Sequence, residues 1–149
     1  MEEIKRIEME EADKLMWNTT RLLDKTRNNV LGRFGLTYLQ FEILEAIYHI
    51  SKREVEVIQI DLSERTQINP MTTSTILRNL EKRGQIERKR GLINTRTVEV
   101  RLTAEGESVY HEAQDKIAKM REMVYADLEL MKLTDQLLKL SDKLYKVNY

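Results

Sequence analysis

Between Asn69 and Arg101 the chain gathers side chains that hold hydrogen bonds and positive charge, with no histidine or cysteine among them to build a Ser/His/Asp or Cys/His set. Asn69-Pro70 combines an N-cap residue with a proline at the first helical position, where its missing N–H costs nothing, so a helix starts there. On that helix Thr73, Ile76, Leu77 and Leu80 form an inward stripe. Thr72, Thr75, Arg78, Asn79 and Lys82 face outward with no acid among them, and Gly84 ends the element. From Arg65 to Arg101 there are nine basic residues (Arg65, Arg78, Lys82, Arg83, Arg88, Lys89, Arg90, Arg96, Arg101) and three acidic ones (Glu81, Glu87, Glu99), a net of +6 in a chain whose formal net charge is zero. The remainder carries the balancing −6, part of it in the acidic start MEEIKRIEMEEADK. Such a dipole can place a polyanion on one face while the acidic ends discourage binding elsewhere.

The chemistry excluded is equally informative. There is no cysteine, hence no disulfide framework, no Cys-ligated zinc and no thiol switch. His49 and His111 are too few and too far apart for a metal sensor, and no Ser/His/Asp set, glycine-rich phosphate loop or HExxH motif occurs. The chain is expected to be no enzyme and to carry no cofactor or metal. It has no apolar leader and no membrane-length apolar run, so a cytoplasmic protein with no membrane partner is expected.

The elements that position these side chains follow from periodicity. With 149 residues, 34% charged, 1 Pro and 5 Gly, a single mostly helical domain is expected. Ile4, Ile7, Leu15, Leu22, Leu23, Thr26 and Val30 recur at helical spacing, predicting an amphipathic helix to about Asn29, broken by Gly32 and Gly35 around Phe34. Thr37-Tyr38-Leu39-Gln40 is a capping box opening a second helix through Phe41, Leu44 and Ile47. Glu54 to Val57 alternates like a short strand feeding a short helix that contains Leu62 and Arg65. Two short helices joined by a tight polar connection at Thr66 to Asn69 describe a helix-turn-helix. Ile86–Arg90 and Thr95–Leu102 alternate with period two around a turn at Gly91-Leu92-Ile93-Asn94, a wing-like hairpin. Thr103 is expected to cap a long helix whose stripe runs Val109, Ala113, Ile117, Met120, Val124, Met131. Thr134 is expected to cap a last one with Leu137, Leu138, Leu140, Leu144 and Val147. The terminal helices have more apolar positions than a small winged core can cover, which points to dimerisation.

The runs LTYLQFEILEAI, LSERTQINPMTTSTILRNLEKRGQIERKR and TRTVEVRLTAEG resemble the MarR family of winged-helix regulators, from about Leu36 to Gly106, with flanking helices that fit the family's dimer layout. The resemblance implies a mostly α fold with a small β-wing, in which residues 1–35 and 103–149 supply dimerisation helices and 36–102 the winged helix-turn-helix core of one 1–149 domain. It implies a homodimeric, sequence-specific DNA-binding transcriptional regulator, a repressor by family habit, bound to a near-palindromic operator in double-stranded DNA. Asn69, Thr72, Ser74, Thr75, Arg78, Asn79 and Lys82 would supply base-edge and phosphate contacts. Arg88 and Arg90 would clamp phosphates, and Asn94 and Arg96 would belong to the wing, with Arg96 in the minor groove. The family's small aromatic or anionic effector would sit near Trp17, Phe34, Tyr38, Phe41 and Tyr48; core packing accounts for the same five rings equally well.

Three departures from the family pattern stand out. The wing reads Asn94-Thr95-Arg96 where Asp-Arg-Arg is usual, removing one charge from a bracing ion pair and one arginine. Leu92 and Ile93 place apolar groups at the tip. Gln67 and Thr66 stand where glycine and leucine are common in the turn. The weakened wing motif and the apolar Leu92-Ile93 tip motivate a rival expectation, a winged-helix protein-interaction module that has lost DNA binding.

Overall fold

In the computed structural model the described residues are 1–53, 56–91, 94 and 96–149. Glu54 and Val55 of the expected strand, and Leu92, Ile93 and Thr95 of the wing tip, lie outside them. The elements run α1 (Glu2–Leu31), a 3-10 turn (Gly32–Phe34), α2 (Tyr38–Ser51), α3 (Gln59–Thr66), α4 (Pro70–Lys82), β1 (Ile86–Arg90), β2 (Val98–Leu102), α5 (Ala104–Tyr125) and α6 (Leu130–Asn148). The chain divides into two compact units, Met1–Ile117 and Ala118–Tyr149, with the division inside α5.

In the first unit local signals set the element ends. The Thr37 hydroxyl accepts from the Gln40 N–H at 3.2 Å while the Gln40 side chain accepts from the Thr37 N–H at 3.0 Å, the reciprocal box expected for α2. Gly35 (φ +67) and Gly84 (φ +74) both take the left-handed conformation after a helical turn. In each case the following residue's N–H reaches back, Leu36 to the Leu31 carbonyl at 3.3 Å and Gln85 to the Leu80 carbonyl at 3.0 Å, which satisfies carbonyls the helix leaves open. The Thr103 hydroxyl accepts from the Gly106 N–H at 3.0 Å and donates to the Gly84 carbonyl at 2.6 Å, capping α5 and tying it to the end of α4. Gly106 lies so close to the Gln85 carbonyl that a Cβ there would collide with backbone.

The core of this unit collects Leu31, Phe41, Leu44, Ile47, Leu62, Leu77, Leu80, Ile86, Val100, Tyr110 and Ile117, all fully or almost fully buried. The α4 stripe expected inward, Thr73, Ile76, Leu77 and Leu80, is the buried face of that helix. Strands β1 and β2 pair antiparallel from Ile86↔Leu102 to Arg90↔Val98. The described part of the expected strand contributes one rung on the other edge of β2, an Ile58↔Glu99 bridge with the Val100 N–H donating to the Val57 carbonyl at 2.8 Å.

The second unit corrects the reading of the C-terminus. Thr134 does not cap the last helix: α6 starts at Leu130 with Glu129 at its N-cap, so Thr134 is an interior residue and Met131 belongs to α6, not to the long α5 stripe. The break at 126–129 contains neither glycine nor proline, and apolar spacing runs through it, so periodicity alone could not place it. On α6, Leu130, Leu133, Leu137, Leu140, Leu144 and Val147 recur at alternating three and four, a seam of coiled-coil type, yet no residue of the helix is buried. Much of α1 is likewise bare, with Ile4, Ile7, Leu15, Trp17 and Leu22 all exposed.

Candidate nucleic-acid interface

The connection between α3 and α4 is pinned from inside. The Ser63 and Thr73 hydroxyls both donate to the Ile68 carbonyl, at 2.7 and 3.3 Å, which explains a threonine in an otherwise apolar stripe. Gln67 turns the chain at φ +61, the one non-glycine residue at positive φ among those described, and its side-chain amide donates to the Glu64 carbonyl at 2.9 Å. Asn69 then acts as the cap of α4, its side-chain oxygen accepting from the Thr72 N–H at 2.8 Å.

With its inner face buried, α4 has one face left. Thr75, Arg78, Asn79 and Lys82 are exposed, and Thr72 and Ser74 are half-buried near its start. Arg78 Nη2 donates to the Thr75 hydroxyl at 3.3 Å, which aligns the guanidinium along the helix surface. Met71, absent from the expected site, is 81% exposed one turn before Thr75; its place at i, i+4 from Thr75 was the signal available.

The wing adds cations beside that face. An open groove of about 700 Å³ is lined by Glu81, Arg88, Lys89, Arg90, Arg96, Thr97 and Val98. A cleft of about 360 Å³ lies beneath Arg96, between the starts of α3 and α4 and β2. Arg90 and Arg96 are exposed, and neither guanidinium forms an ion pair among the described residues. Other basic residues of the segment are engaged internally. Arg83 donates to the Gly35 and Phe34 carbonyls at 2.7 and 3.3 Å, and Lys89 and Arg101 flank the buried Glu99 at 3.8 and 3.2 Å. Arg88, expected at a phosphate, donates to Glu81 at 3.1 Å and to the Gln59 side chain at 3.4 Å.

Asn94 answers the question of the missing wing charge in part. Its side-chain oxygen accepts from the Arg96 N–H at 3.0 Å, and its carbonyl accepts both the Thr97 N–H and hydroxyl, at 3.1 and 2.7 Å. This Asx turn requires an oxygen at that position, not a charge.

The expected effector residues separate. Tyr38 stacks on Phe41 at 6.0 Å, Phe41 on Tyr110 at 5.8 Å, and Tyr48 lies 4.9 Å from both Tyr110 and His111. Phe34 is half-buried outside those ring contacts, and Trp17 stands 64% exposed on α1 with Arg21 over its ring at 5.2 Å. Tyr110, from α5, is the ring that sequence reasoning missed.

Residues 25–113 match the family model for the transcriptional regulators SarA/Rot. The chain belongs to this SarA/Rot family. Its fold is the winged helix of MarR-type regulators: a MarR-like transcription regulator of Bacillus cereus superposes with a TM-score of 0.78 at 18% identity, over 93% of this chain and 99% of that one. The Mycobacterium tuberculosis regulator MOSR, solved in complex with DNA, superposes with a TM-score of 0.77 at 19% identity, over 93% and 98%. In sequence, the HTH-type transcriptional regulator YdcH of Bacillus subtilis is 33% identical over 92 residues, 62% of this chain; the match spans 63% of YdcH's own length. The SarA/Rot family and YdcH are both described as transcriptional regulators, not enzymes. No helix among the described residues is long and apolar enough to cross a membrane, and none of them form a cluster suited to a metal ion.

Proposed function

We propose that this SarA/Rot-family chain is a cytoplasmic homodimeric repressor that binds a near-palindromic site in double-stranded DNA and is released by a small aromatic or anionic effector. The observation that carries the reading is the pairing of a polar outer face on α4, with Thr75, Arg78, Asn79 and Lys82 exposed and its one acid, Glu81, tied to Arg88, with the wing cations Arg90 and Arg96, which form no ion pair among the described residues. The α4 face suits base edges in a major groove, with Asn69 and Thr72 serving its first turn and Ser74 and Thr75 close to phosphates. Arg96, set by Asn94, suits a narrow minor groove. The exposed apolar rows of α1 and α6 suit a second copy of the chain, with residues 36–102 as the DNA-binding core. The cluster of Tyr38, Phe41 and Tyr48 with Tyr110 supports an effector site less directly, because its rings already pack on one another.

Selection of bound sequences from random duplex DNA by the purified protein, at two salt concentrations, tests this. An enriched inverted repeat with half-sites about 10 bp apart, bound roughly a thousandfold more weakly at 200 than at 50 mM salt, is expected. Absence of enrichment, or a flat salt response, overturns it in favour of a protein-interaction module.

A further inference from the structure

We infer that Glu81, an acid inside the basic surface, promotes DNA binding by fixing the wing to the recognition helix, and that Arg88 is its partner in that brace instead of a phosphate clamp. The inference rests on the DNA-binding reading above.

Glu81 sits in the last turn of α4, and its carboxylate is engaged twice. Oε2 accepts the backbone N–H of Arg88 at 3.2 Å, and Oε1 accepts Arg88 Nη2 at 3.1 Å. Arg88 Nη1 continues to Gln59 Oε1 at 3.4 Å, in the first turn of α3. One guanidinium therefore joins the end of α4, the middle of β1 and the start of α3. Its side chain is 19% exposed, and Nε is buried without a partner among the described residues. The Val100 N–H, opposite Arg88 in the register, points away to Val57, so the Arg88 N–H lies on the outer edge of the hairpin, where Glu81 receives it. A phosphate drawing Arg88 outward would strip Glu81 of its cation and leave an acid facing the polyanion.

The alternative makes the opposite prediction for the same residue. If Glu81 is merely a surface carboxylate beside DNA, its removal lifts a repulsion and tightens binding. If it is a brace, removal lets the wing drift from the angle at which α4 and Arg96 engage together, and binding weakens. A bidentate fork also distinguishes arginine from lysine, which would preserve a phosphate contact but not the two-sided grip on Glu81 and Gln59.

The test measures affinity for the duplex that the wild-type protein enriches, across about 50–200 mM salt, with Glu81→Ala, Arg88→Ala, Arg88→Lys and the double Glu81→Ala/Arg88→Ala. Each single variant is expected to lose about tenfold in affinity with the salt slope unchanged, and the double no more than either. Gln59→Ala, which leaves the Glu81 pair intact, is expected to lose about threefold and decides the matter if the Glu81 variant does not fold. Tighter or unchanged binding by Glu81→Ala, or by Gln59→Ala where it stands in, overturns the proposal. So does a salt slope reduced by about one in Arg88→Ala and restored in Arg88→Lys. Failure of the wild-type protein to enrich any duplex overturns instead the reading on which the inference rests.

Discussion

Helices α4 and α6 are both amphipathic, and they end in opposite conditions. The apolar stripe of α4 is buried by its own chain, so what it shows to solvent is a fixed, polar and basic face. The apolar seam of α6 is as regular, yet none of its residues is buried. Satisfied apolar surface makes an element a rigid support for what it displays. Unsatisfied apolar surface is itself what is displayed, and it needs a partner before it contributes stability.

The largest effect that would break this contrast is a core truncation. Leu77→Ala on α4 is expected to cost about 2–5 kcal/mol in chemical unfolding. Leu137→Ala on α6 should change stability by less than about 0.5 kcal/mol in dilute protein and lower the melting temperature only where protein concentration favours association. A concentration-independent loss for Leu137→Ala would show the α6 seam to be covered within one chain. Next comes the junction that holds α4 in place. Gly106→Ala would drive a methyl group into the Gln85 carbonyl, and a loss of about 1–3 kcal/mol in the unfolding free energy is expected. At the displayed face, Arg78→Ala should leave melting unchanged and cost about 1–3 kcal/mol in DNA affinity, with relaxed preference at one base position in a repeat of the selection. Uniform weakening on all sequences would make Arg78 a phosphate contact. The smallest effect is expected at Gln67, where glycine would relieve the positive φ. Gln67→Gly should raise stability by at most about 1 kcal/mol, since the lost bond to Glu64 and added chain entropy offset part of the gain.

The same contrast explains what could be read from sequence. Asn69-Pro70, Thr37 with Gln40, and Gly84 act within a few residues of themselves, and each ends or begins an element where expected. The α4 stripe was legible because burial imposes a period. The Tyr125-to-Leu130 break was not, because no residue type in it forbids a helix. Reading the wing by charge missed that Asn94 holds its turn through an oxygen any Asx residue supplies. Arg88 looked free because Gln59 is 29 positions away and Glu81 lies beyond the turn at Gly84. Tyr110 escaped the aromatic group because it comes from α5, a helix far along the chain from α2. Signals carried by one stretch of chain survive in sequence; contacts made by closing the fold across distant stretches do not.

Arg83 bears on how motion would travel through the first unit. Its guanidinium grips the carbonyls of Phe34 and Gly35, 49 and 48 positions earlier, where α1 gives way to α2. The C-terminal end of α4 is thereby bolted to the turn that follows the long N-terminal helix by a strut only one side chain long. A shift of the turn at Phe34 and Gly35 must carry the end of α4 with it or break the two hydrogen bonds that Arg83 makes there.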